Sequence, residues 1–146
     1  MRDRKAFAIL RQFPANYMRA QEVLQELHEV RRSMDVSAQR YGGFPSVSGH
    51  SDPTARINER VFWLQDVLTE LERKTIPVLR LRSNLKNSQR EEDQEEHLVM
   101  ELYFFNAMEA RDVAMHLQKS LRSIERIKQR VIRDLKEEMR KFCKGE

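Results

Sequence analysis

The chain has 146 residues, of which 34% are Asp, Glu, Lys or Arg, with a formal net charge of +4, four glycines and four prolines. That length holds one core of moderate size, or a small domain with a helical arm, and the scarcity of Gly and Pro favours long polar helices over sheets. The lone Cys143 excludes an intrachain disulfide, which makes a reducing compartment the default.

In chain order, the first apolar pattern runs through Phe13, Tyr17, Ala20, Leu24, Leu27 and Met34 at alternating steps of three and four, broken once by Arg31. Such a repeat is a heptad seam, and Pro14 suits the first turn of its helix. The spacing predicts a helix over about 14–34. Residues 36–53 then lose the periodicity and gain Gly42, Gly43, Gly49, Pro45, Pro53 and four serines, the composition of a loop. A second helix is predicted over about 53–75, with Ile57, Val61, Leu64, Leu68 and Leu71 restarting the seam. Two seams of similar length joined by the 36–52 loop predict an antiparallel helical hairpin. Its stripes serve as an internal core, or as a seam with a second copy, since two helices alone bury little surface. Trp63 lies one residue off the second seam, at a flank or an interface.

Pro77 removes a backbone donor, so the helix is expected to end or kink near Thr75 and Ile76. Val78, Leu79, Leu81 and Leu85 suggest a short resumption, and residues 83–93 read as a linker. Five acids lie among residues 91–96, placed to suit the positive end of the helix that follows. The organisation expected is a helical arm over 1–82 that oligomerises, the linker, and a DNA-binding module over 94–146.

That module is carried by residues 98–135. Val113, Ala114 and Leu117 form the inner face of a short helix, and Ile124, Ile127, Val131 and Leu135 that of the next, with Gln118-Lys119-Ser120 between. Two helices crossing over so short a turn need a small residue at the crossing, here Ala114. Stepping about 100° per residue from Ile124 sends Arg122, Arg126, Gln129 and Arg133 to the opposite side, flanked by Lys119 and Arg130. Residues 118–136 hold seven Lys or Arg against two Asp or Glu. The ordinary reading of such a face is solvation. Beside this turn it suits a major groove, where Arg pairs with guanine and Gln with adenine.

These residues resemble the sigma-factor region 4 type of helix-turn-helix found in the ArpU/RinA-like family of phage-encoded transcription regulators. The family shows a Glu-x-x-Leu-x-x-Arg-Tyr-Phe opening, an Ile/Val-Ala pair and Ser-x-Arg-Thr-Val. Here Leu98 to Phe105 (LVMELYFF), Val113-Ala114 and Ser120-Leu121-Arg122-Ser123-Ile124 correspond, and the stretch Ser48 to Pro53 matches in outline. The resemblance implies an activator of phage late or packaging genes; a patch meeting host RNA polymerase would give activation, and occupancy over a promoter would give repression. Gln118 stands where the family often has glycine, so a positive φ there costs more. Ser120 suits the N-cap of the second helix, and Asn106, three residues before Glu109, that of the first.

Catalytic chemistry finds no constellation. His28, His50, His97 and His116 are scattered away from Cys143, and no phosphate loop or nucleophile elbow is present. No enzyme activity, cofactor or metal is therefore expected. The chain lacks an 18-residue apolar run, and its Met-Arg-Asp-Arg-Lys start lacks the apolar stretch of a signal peptide, so a cytoplasmic protein without a membrane partner is expected.

The fold expected is all-α: the antiparallel hairpin, then the helix-turn-helix. The function expected is sequence-specific binding of double-stranded DNA by a homodimer. Arg122, Arg126 and Gln129 would read bases, Lys119, Lys128, Arg130 and Arg133 would hold phosphates, and Ser120 and Ser123 would open the helix. Two alternatives stand beside it: a small terminase-like packaging adaptor, and a helix-turn-helix that binds protein.

Overall fold

The computed structural model describes residues 1–41 and 53–145, with side chains for 1–34 and 54–145. Their regular structure is entirely helical: α1 (Asp3–Tyr41), α2 (Pro53–Asn87), α3 (Glu91–Val99), a π-helical segment (Met100–Phe105), α4 (Ala110–Leu117) and α5 (Leu121–Cys143). The all-α class holds.

Both long helices outrun their expected bounds. α1 begins at Asp3 because Ala6, Ile9, Leu10 and Phe13 form a buried stripe upstream of the seam read from the sequence. It continues to Tyr41, through residues 36–41 expected to be loop; the remainder of that loop, 42–52, lies outside the described residues. Pro14 is therefore inside a helix, as is Pro77 in α2. An interior proline costs about 3 kcal/mol, whereas each large apolar side chain buried nearby returns about 1.5–3 kcal/mol. Leu10 and Phe13 beside Pro14, and Val78, Leu81 and Leu85 beyond Pro77, are all buried. Burial outweighs the lost backbone bonds, and neither helix ends.

The chain divides into two compact units. Unit 1 comprises Met1–Asn16 and Arg73–Glu146, and unit 2 comprises Tyr17–Glu72. This corrects the expected boundary, because the first 16 residues and the end of α2 belong with the C-terminal helices. The expected linker 83–93 is instead the last turn of α2, a three-residue break at 88–90 and the first turn of α3. Ser88 anchors that break: its Oγ donates to Asp93 Oδ2 (2.6 Å) and accepts from Arg90 N (3.2 Å).

Unit 2 is a helical hairpin around Val23, Leu27 and Leu64, with Val30, Val61, Val67, Leu68 and Leu71 packed against them. Two residues of the first expected seam, Tyr17 and Leu24, are exposed, and Val23 and Val30 take their place. Phe13, Ala20 and Leu27 of that seam are buried as the spacing predicts, and only the alternate positions move by one residue, because Leu24 and Val23 are neighbours and packing alone selects between them. Arg60 donates to Glu26 across the hairpin.

Unit 1 has the larger core. Ala6, Ile9, Leu10 and Phe13 of α1 meet Val78, Leu81 and Leu85 of α2, Val99, Met100 and Phe104, and the inner faces of α4 and α5. Leu102, Tyr103, Phe104 and Phe105 are consecutive yet all pack against this core. On an α-helix four such residues sweep about 300°. Here α1 meets three of them: Phe7 lies edge-on to both Tyr103 and Phe104, and Phe13 is 4.8 Å from Phe105 between centroids. The π-helical segment closes with Asn106, whose backbone N and Nδ2 both donate to Glu101 O (3.0 and 2.7 Å). Asn106 thus caps what precedes it. The residue before α4 is Glu109, whose side chain makes no capping hydrogen bond.

Candidate nucleic-acid interface

α4 stops because Gln118 adopts a left-handed conformation (φ 55°, ψ 43°). Lys119 N donates to Ala114 O (2.9 Å) and Gln118 N to Met115 O (3.3 Å), the two bonds of a Schellman motif. Ser120 is extended, and its Oγ accepts from Ser123 N (3.1 Å), which satisfies a free donor at the start of α5. Three residues thus carry the chain from one helix into the next. Val113 and Ala114 of α4 and Ile124, Ile127, Val131 and Leu135 of α5 are all buried, which fixes the rotation of α5 about its axis.

That rotation sorts the polar side chains of α5. Arg130 on one flank reaches α3, with Nη2 3.5 Å from Glu95 Oε2 and Nε 3.4 Å from Glu96 Oε1. Lys136 on the other flank reaches α1, its Nζ donating to Asp3 Oδ1 (2.6 Å). At about 100° per residue these flanks lie about 120° apart, and the arc between them holds Arg122, Arg126, Gln129 and Arg133. All four are exposed. Arg122, Arg126 and Gln129 have no side-chain hydrogen bond or ion pair among the described residues; Arg133 pairs with its neighbour Asp134 (3.3 Å). From Arg122 to Arg133 the row is about 16 Å long, at 1.5 Å per residue.

The nine predicted residues therefore separate. Arg122, Arg126, Gln129 and Arg133 share the exposed arc, and Ser120 and Ser123 pair with each other at its start (Oγ to Oγ 2.9 Å). Lys119 and Arg130 are placed otherwise than a free phosphate contact requires: Lys119 Nζ donates to Glu95 Oε1 (2.8 Å), and Glu95 holds both cations. The hydrogen bond from Lys119 keeps the Glu95 carboxyl below its ordinary value against the upward pull of burial.

Lys128 departs furthest from expectation. Its side chain is only 12% exposed, its Nζ lies 3.1 Å from Glu125 Oε1, and it sits 4.1 Å over the Tyr103 ring. The same ring has Arg11 on it at 4.4 Å. Burial, the largest influence on Lys128, pulls its ammonium down, but Tyr103 and Glu125 together outweigh this and raise it. Lys128 is about 40° from the buried Ile124 on the helix wheel, on the core side of α5 and outside the exposed arc, so it packs on the aromatic cluster.

Sequence reasoning missed Arg140, which continues the arc seven residues after Arg133 and pairs with Glu137; the repeat was there to find. It also missed Glu95 and Glu96. Their partners are 24 to 35 residues away, and no local spacing encodes that. Glu96 is buried, and burial with the adjacent Asp134 pushes its carboxyl up to about 8 while Arg130 opposes.

Charge divides with the fold. Unit 1 carries 21 Lys and Arg against 14 Asp and Glu, a net +7, and unit 2 carries 6 against 9, a net −3. No described helix is long and apolar enough to cross a membrane. No family model, curated protein or solved structure matches the chain.

Proposed function

We propose that unit 1 is a helix-turn-helix module that binds double-stranded DNA with sequence preference, and that the protein regulates transcription. The observation that carries this reading is the row of Arg122, Arg126 and Gln129, exposed and unpaired among the described residues, on a helix entered through a tight, capped turn. In this reading α5 enters the major groove. Its guanidinium groups reach guanine edges and Gln129 reaches adenine, while Arg133 holds a phosphate. Lys119 and Arg130 join only by leaving Glu95. The resemblance of residues 98–124 to the ArpU/RinA-like regulators supports activation of phage late or packaging genes in the bacterial cytoplasm, with host RNA polymerase as partner. The small core of the unit 2 hairpin supports pairing with a second copy, giving a dimer on a two-part site.

Selection of bound duplexes from a random-sequence pool, followed by affinity measurements on the enriched motif, tests the reading. Arg122→Ala or Arg126→Ala should cost about 1–3 kcal/mol on that motif and relax it at one position. A pool that yields no motif, or variants that bind as the parent does, would end it.

One observation favours a second reading, a helix-turn-helix that binds protein. Met115 and Leu121, on either side of the turn, are 73% and 52% exposed. Under that reading any DNA binding is nearly independent of salt, because phosphate contacts are what make affinity fall with salt.

A further inference from the structure

The row on α5 has two unlike banks. On the Arg130 side stands α3 with Glu91, Glu92 and Glu95, the first two exposed. On the Lys136 side stands the start of α1. The ion pair of Lys136 with Asp3 (2.6 Å) places the first turn of α1, which carries Arg2, Arg4 and Lys5, beside the Arg133 end of the row. All three are exposed, and none makes an ion pair among the described residues. Asp3 is the only acid before Glu22, and its charge is taken up by Lys136. α1 and α5 run antiparallel here, since Asp3 meets Lys136 while Arg11 and Lys128 meet on Tyr103. Arg11, partly buried over Phe7 and Tyr103, belongs to that aromatic cluster and not to the open bank.

We propose that the first turn of α1 is a second DNA-contact element, in which Arg2, Arg4 and Lys5 hold the phosphate backbone beside the groove occupied by α5, while the acidic bank of α3 keeps the duplex from the opposite side. The proposal rests on the reading of α5 given above and adds the side on which the duplex lies. Phosphate contacts carry no sequence information, but they fix register and orientation, and this bank supplies them where Lys119, Lys128 and Arg130 do not. Sequence spacing gave no sign of it, because residues 2–5 and 133–136 come together only through the fold.

The test uses the full chain and two probes of about 30 base pairs, a mixed-sequence duplex and the motif recovered by selection, with affinity followed over a series of NaCl concentrations. The slope of log affinity against log salt changes by about 0.9 for each phosphate contact. Replacing Arg2, Arg4 and Lys5 together with Ala should lower its magnitude by up to about 2.7 on both duplexes, with the selected motif unchanged. A control replacing Arg19, Arg31 and Arg32 of unit 2 with Ala removes the same charge and should leave the slope as in the parent. Glu91→Gln with Glu92→Gln should raise affinity for both duplexes. Circular dichroism establishes that each variant keeps its helices.

The proposal is overturned if the α1 variant keeps the parental slope, or if the unit 2 control loses as much, since net charge alone would then account for the effect. If Arg122→Ala with Arg126→Ala abolishes the motif while the α1 variant binds as the parent does, this inference fails and the reading of α5 stands. A parent that binds neither duplex removes both.

Discussion

Gln118 holds a left-handed conformation with φ 55°, as does Ala107 with φ 56°, and each is a backbone position that glycine adopts without steric cost. The left-handed region costs a residue with a Cβ roughly 1–2 kcal/mol, partly offset by the greater chain entropy glycine loses on folding. Gln118→Gly should therefore stabilise the protein by about 0.5–1 kcal/mol, seen as a higher denaturant midpoint with unchanged slope. A lower midpoint would mean that the Gln118 side chain contributes more than its conformation costs. Glu96 gives a second prediction at this scale. Its carboxyl lies at about 8 in the folded chain against an ordinary 4.5, so between those values the folded state binds a proton that the unfolded state has released. Stability is then full below about pH 4.5 and falls as pH rises through 8. The groups facing Glu96 set the size of the effect: Asp134 and Asp93 raise it, and Arg130 reduces it. Glu96→Gln, which keeps a neutral side chain of similar shape, should flatten that decline, by a few kcal/mol at most at about 1.4 kcal/mol per pH unit. Urea midpoints of parent and variant at pH 5 and pH 9 measure it; parallel declines would refute it.

At the scale of the element, α5 is legible on its inner side and only partly so on its outer side. Its apolar spacing predicts Ile124, Ile127, Val131 and Leu135 as inward, and all four are buried, because a 3.6-residue repeat is a local property of the chain. The free cations are another matter. Arg122 and Arg126 stay exposed, whereas Lys119 and Arg130 face Glu95 and Lys128 folds onto Tyr103. Glu95 thus competes with any phosphate for two cations of α5. Glu95→Gln should strengthen duplex binding and steepen its salt dependence by about 1 to 2 contacts' worth, at about 0.9 each, with sequence preference unchanged. Lys119→Ala should change binding much less than Arg122→Ala does, because Lys119 is already neutralised. Equal losses from the two variants would show that the Glu95 pairs open freely in solution. α3 itself was legible only as an acidic stretch suited to a helix start. Its grip on α5 joins residues far apart in the chain.

Across the whole molecule, charge and burial are unevenly shared. Unit 1 is basic with a continuous core drawn from five α-helices and the π-helical segment, and unit 2 is acidic with three fully buried residues at its centre. Local opening follows burial density. Backbone amides over 20–30 and 61–71 should exchange with solvent faster than those over 124–135, under conditions where the protein remains folded. Uniform protection would mean that unit 2 gains its stability from elsewhere, as a paired second copy would provide. Sedimentation over a range of concentrations separates these outcomes, since protection from pairing weakens on dilution.

What the sequence alone determined is what local chemistry controls: the helical class, the inner faces of α4 and α5, the Ser120 cap and the turn at Gln118. Each depends on residues within a few positions of one another. The tertiary structure decided the rest. It carried α1 and α2 through Pro14 and Pro77, because buried side chains from distant segments outweigh a missing backbone bond. It moved residues 1–16 into the unit that holds α5, and it chose which cations of α5 remain open. Those outcomes depend on partners separated by 24 residues or more, and no periodicity in the chain records which carboxylate will meet which guanidinium.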